Sequence, residues 1–142
     1  MSVDLTVYVA RGRMPSPTRW AEAIREAGFP AELDADFDVD AFTGFLPCKY
    51  DSKPGGFEYS AGKITDEDRV NLGLPPECDL AVTFATHSDM KELATAVIAA
   101  AVLCQLTSGR LSDPQAGEDV TASQALSWAR AMLDQIRGDL EA

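Results

Sequence analysis

The sequence holds one histidine, three cysteines and only twelve lysines and arginines against twenty-three acids. Each shortage excludes something. Cys48, Cys78 and Cys104 are odd in number, widely spaced and without a C-x-x-C pair, which argues against a disulfide framework and a zinc site. Reduced buried thiols are the expectation. A net charge of −11 makes nucleic acid an unsuitable partner, because affinity for that backbone comes from phosphate neutralisation by Lys and Arg. A basic protein partner suits such a charge, and so does plain solubility. The amino terminus, Met1 to Leu5, has neither a basic segment nor a long apolar run. No secretory signal is expected there, and the chain reads as cytoplasmic. The longest apolar stretch falls short of the roughly 20 residues that cross a bilayer, so no membrane contact is expected.

What is present describes a globular protein: 46% hydrophobic and 25% charged residues over a length of 142, enough for one domain spanning residues 1–142 and too little for two. The charge is uneven. Residues 1–31 carry four arginines against three acids, and the rest carries eight bases against twenty acids.

The stretch from Asp79 to Gly109 organises the chain. Leu80 to Ala85 has the β-branched and aromatic content of a buried strand, and Thr86 or Ser88 offers an N-cap for a helix over 88–106. That helix is apolar almost all round, so it must be covered on several sides. Alanines at 94, 96, 99, 100 and 101 let neighbours approach closely, and Gly109 is read as its left-handed terminator.

Val3 to Ala10 alternates as a strand with one face on a core. Ser16-Pro17 opens a helix with Trp20, Ala23, Ile24 and Ala27 on one face, and Gly28-Phe29-Pro30 ends it. Glu32 to Asp40 alternates acids with apolar residues, which in an extended backbone forms an acidic edge. Its D-x-D spacing fails as a calcium loop, because the positions requiring glycine and glutamate hold Val39 and Phe45 counted from Asp34. Residues 42–50 and 57–60 read as a hairpin around a turn at 52–56, and 61–78 as mostly loop. A small hairpin follows at 110–120. An amphipathic helix capped by Thr121 or Ser123 then carries Ala125, Leu126, Ala129, Met132, Leu133 and Ile136. The expected architecture is α+β: an antiparallel sheet of about four strands with three helices, the alanine-rich helix 88–106 central.

Candidate chemistry is sparse. His87, at a strand-to-helix turn, is the one group of near-neutral titration, with Asp89, Glu58 or a cysteine as helper if the protein is an enzyme; no nucleophile elbow accompanies it. Lys53-Pro54-Gly55-Gly56 lacks P-loop order, Arg11 and Arg13 are a weak anion site, and no cofactor or metal is expected. Clustered carboxylates carry more promise. Asp34, Asp36, Asp38 and Asp40, with Asp66, Glu67 and Asp68, are suited to steering and holding a basic protein. Association between copies through an open sheet face is also permitted.

Gly44-Phe45-Leu46-Pro47, then Gly55-Gly56-Phe57-Glu58, then the Asp113-Pro114-Gln115-Ala116-Gly117 turn after an alanine-rich helix, resemble small acidic uncharacterised bacterial proteins, some of them similar to immunity proteins. The resemblance implies a function of binding and neutralising a partner, and it brings no catalytic residue with it.

Overall fold

The computed structural model describes residues 3–141; Met1 and Ser2, which open the amino-terminal segment considered above, and Ala142 lie outside the description. In chain order the elements are β1 (Val3–Val9), a 3-10 turn (Arg11–Arg13), α1 (Pro17–Glu26), β2 (Ala31–Leu33), β3 (Gly44–Tyr50), β4 (Lys53–Lys63), α2 (Asp66–Leu72), β5 (Leu80–Thr86), α3 (Met90–Thr107), β6 (Arg110–Asp113), β7 (Glu118–Thr121) and α4 (Ala125–Glu141). All seven strands form one antiparallel sheet in the order β2-β3-β4-β5-β1-β6-β7.

The α+β class therefore stands, but the expectation of about four strands and three helices does not: the described residues hold a seven-stranded sheet and four α-helices. Three local reasons explain the difference. The acidic alternation pairs as a strand only over Ala31–Leu33, because Asp34 and Asp38 then fold the backbone into side-chain-closed turns. The small hairpin joins the main sheet, since β6 lies beside β1 with Val7 opposite Leu111. The segment expected to be mostly loop contains α2, whose start is fixed by the Thr65 hydroxyl accepting from Asp68 N–H at 3.1 Å, with three acids in the first turn.

The helix layer covers one face of the sheet. Leu5, Val7 and Val9 from β1 and Leu80, Val82 and Phe84 from β5 point into it and are fully buried. Thr6 and Tyr8, with Ala81, Thr83 and Ala85, alternate onto the opposite face and are half-buried. The α2 connection covers part of that second face, where Ile64, Leu74 and Cys78 pack against Tyr8 and Ala81. In the middle of the helix layer, α3 meets α1, α4 and strands on both sides of the sheet centre. Its 18 residues are long and apolar enough to cross a membrane by composition, yet Ala94 and every residue from Ala96 to Cys104 is buried in the protein. Asp89, not Thr86 or Ser88, caps it, accepting from Lys91 and Glu92 N–H. The left-handed terminator is Ser108 (φ 53°), one residue before Gly109. Gly109 serves space instead: a Cβ there would lie 2.6 Å from the Tyr8 carbonyl oxygen.

The 52–56 turn reading is likewise corrected. The β3–β4 turn is Asp51-Ser52, both at positive φ, while Gly55 and Gly56 lie inside β4. Gly55 is glycine because α3 comes so near, and Gly56 because its positive φ and the neighbouring strand β3 leave no room for a side chain. A Cβ on Gly55 would sit 3.0 Å from the Lys91 carbonyl oxygen, and one on Gly56 would sit 2.5 Å from that of Leu46. The expected start and stop of α1 do hold. The Ser16 hydroxyl accepts from Arg19 N–H with Pro17 at the first helical position. Gly28 and Phe29 then close the end with N–H bonds to Arg25 and Ile24 carbonyls.

Gly56 and Gly62 share a strand but differ in environment, since Gly56 has φ 122° and no room whereas nothing lies within 4 Å of a Cβ on Gly62. In urea denaturation Gly56→Ala is expected to lose about 2 kcal/mol or more. Gly62→Ala is expected to stay within about 1 kcal/mol of the parent.

Candidate functional site

His87 follows the last residue of β5 and is exposed. Its backbone N–H donates to Glu92 Oε1 at 3.2 Å, while the Asp89 carboxylate is engaged in capping α3. Glu58 lies on β4 opposite Ala85 and Phe45, on the sheet face away from the helices. No hydrogen bond or ion pair links the His87 ring to Glu58, to Asp89 or to a cysteine among the described residues. These groups are therefore not assembled around one proton.

The carboxylates fall into two separate patches. Asp34, Asp36, Asp38 and Asp40 are all exposed along the connection between β2 and β3. Two of them shape that connection: Asp34 Oδ1 accepts from Asp36 N–H at 3.0 Å, and Asp38 Oδ1 accepts from Asp40 N–H at 2.9 Å and from Ala41 N–H at 3.2 Å. The intervening apolar residues fasten it down. Phe37 packs edge-on against Tyr59 and Phe42 with centroids 5.4 and 5.8 Å apart and tilts against Trp20, and the Tyr59 hydroxyl donates to the Val39 carbonyl at 2.6 Å. Alternation thus puts acids outward and apolar groups inward, as read from sequence, but from a turn-rich loop. Asp66, Glu67 and Asp68 occupy the first turn of α2, where Asp66 also pairs with Arg69 at 2.7 Å. Since α2 belongs to the opposite face of the sheet from Trp20 and Tyr59, the two acidic groups do not converge on one surface.

The pairing of β2 with β3 creates a feature that no linear motif announces. Glu32 stands opposite Lys49, and Lys49 opposite Pro54, so the three share the sheet face away from the helices. Beside them Asp34, Phe45, Pro47, Cys48 and Gly55 complete a hollow of about 450 Å³. Phe45, at 43% exposure, is the largest uncovered aromatic side chain among the described residues. The hollow is therefore apolar within and carries Glu32 and Asp34 against a single cation, Lys49, around it. A second, smaller cleft of about 220 Å³ lies between Tyr8, Leu72 and the β6–β7 hairpin. His87 lines neither.

The three thiols are free and buried. Burial pushes Cys48 up to about 12 and Cys104 up to about 11, and raises Cys78. Desolvation likewise raises the Tyr59 hydroxyl, with Asp40 and Asp38 adding to it. Thiols held protonated are poor nucleophiles. No group of three or more His, Cys, Asp or Glu side chains is arranged to hold a metal ion among the described residues.

These shifts have a defined sign. The unfolded thiols lose protons near the ordinary value of 9.0 while the native ones keep theirs, so the native state binds more protons at alkaline pH. Stability from this source is full below pH 9 and is lost as pH rises toward 11 and 12. Native protein is expected to resist a thiol-specific disulfide reagent at pH 8 and to release three thiols on unfolding. The urea midpoint should fall above pH 9. No family model matches the chain, and none of the curated proteins compared with it is significantly similar.

Proposed function

We propose that this is a small, acidic, cytoplasmic bacterial protein that works by binding another protein, in the manner of an immunity protein, through the edge formed by β2 and the loop after it. The observation that carries this reading is the meeting of carboxylate and apolar surface at one place: Glu32 and Asp34 border the hollow that exposes Phe45 with Pro47 and Pro54. Binding sites of proteins concentrate their energy in a desolvated apolar centre, and surrounding charge contributes orientation and encounter rate. A basic segment with an apolar side chain to insert complements both parts.

The loop supports this role because its shape is set in advance. Phe37, Val39 and Phe42 tie it to Tyr59 and Trp20, so presenting Asp36 and Asp40 requires little further ordering on association. A competing use of the same charges is to keep the short edge strand β2 from pairing with other chains, as acids on sheet edges commonly do. The two uses separate experimentally, since edge protection needs no partner.

Asp36→Lys with Asp40→Lys, and separately Phe45→Ser, alter groups whose side chains make no hydrogen bond among the described residues. Tagged wild-type protein recovered from the native host is expected to carry one basic partner that both variants lose while melting like the parent. Purified with that partner, the wild type should associate more slowly as salt rises. Recovery of the same partner by both variants would refute the assignment of this surface.

A further inference from the structure

We propose that a separate cleft, between the α1–β2 connection, the β3–β4 turn and residues Arg130 to Leu140 of α4, binds a small phosphate monoester. It encloses about 540 Å³, within the range of sites that hold small organic molecules. Three of the protein's twelve cations line it, Lys53, Arg130 and Arg137, in a molecule of net charge −11.

The state of each charge matters. Arg137 is paired with Asp134 from the same helix. Arg130 lies 5.5 Å over the Phe29 ring centroid and donates one N–H to the Ala27 carbonyl at 3.3 Å. Among the described residues no carboxylate comes within ion-pair distance of Arg130 or of Lys53. Arg130 is thus held in place by a ring and a helix end while most of its five N–H donors remain uncommitted. A guanidinium fork and an ammonium together suit a phosphate, which carries close to two negative charges near neutral pH. Phe29 and Leu133 give the organic part an apolar wall. Asp51 is the opposing element: it lines the cleft, and among the described residues no cation comes within ion-pair distance of its carboxylate.

Lys53 and Asp51 are therefore the informative positions, and both tolerate change. Lys53 is exposed and its side chain has no hydrogen-bond or ion-pair partner among the described residues, and Asp51 sits at φ 51°, where asparagine is at least as comfortable. Calorimetric titration of the whole protein with phenyl phosphate and with inorganic phosphate, at matched ionic strength, tests the proposal. Phenyl phosphate should bind more tightly than inorganic phosphate. Lys53→Gln should weaken it about tenfold or more, as loss of a charge-assisted hydrogen bond does, and Asp51→Asn should tighten it. Both variants should melt within a few degrees of the parent. Absence of phenyl phosphate binding at millimolar concentration, equal affinity for the two probes, or affinity indifferent to both substitutions overturns the assignment.

Discussion

One hydrogen bond in the interior governs how the two layers meet. Gly56 N–H, in β4, donates to the Thr95 hydroxyl of α3 at 3.0 Å, and the same hydroxyl lies 3.0 and 2.9 Å from the Lys91 and Glu92 carbonyls of its own helix. Thr95 is 2% exposed, so its polar atom has no recourse to water. The close approach depends on Gly55, where a Cβ would sit 3.0 Å from the Lys91 carbonyl oxygen and 3.1 Å from the Thr95 methyl group. With α3 seated this low, Trp20 of α1 reaches the Ala99 carbonyl with its indole N–H at 3.1 Å, and the ring then packs at right angles to Phe84. The aromatic cluster that fastens the acidic loop is built on that tryptophan. A contact between strand and helix thus propagates to the protein surface.

The same contact explains what could and could not be read from the chain. Period-two alternation in β1, the β-branched and aromatic content of β5, and the Ser16-Pro17 start and Gly28 end of α1 are local devices, and each is where the residues say. Gly55-Gly56 looks like a turn because glycine pairs usually are, but here the approach of α3 demands Gly55, the positive φ beside β3 demands Gly56, and the turn moves to Asp51-Ser52. Asp66-Glu67-Asp68 reads as a charge run in a loop, although Thr65 ahead of it is an N-cap and acids suit a first turn. The strand count fails for a different reason. The three-residue β2 carries too few alternations to signal itself, and the hairpin of β6 and β7, legible as a hairpin, joins the main sheet only through the pairing of β6 with β1.

Sites divide along the same line. The acidic loop is visible in sequence as alternation, whereas the hollow beside it exists only because β2 lies against β3 and brings Glu32 to Lys49. Arg130 and Arg137 read as solvent-facing positions of the last helix. Nothing local ties Arg130 to Phe29 and Ala27, which are about a hundred positions earlier. The structure thus separates two electrostatic regions that a net charge conceals, a carboxylate-bordered apolar hollow on the sheet and a cleft richer in cations beside α4. The two share no lining residue, although Lys49 and Tyr50, and Lys53 and Pro54, are neighbours in the chain on either side of them.

The seat of α3 on β4 is the claim on which this account rests, and Thr95→Val probes it with almost no change in shape. Removing the hydroxyl leaves the buried Gly56 N–H without an acceptor, a loss of about 1–3 kcal/mol in urea denaturation, while Thr95→Ser, which keeps the oxygen, should recover most of it. A Thr95→Val protein as stable as the parent would contradict the account.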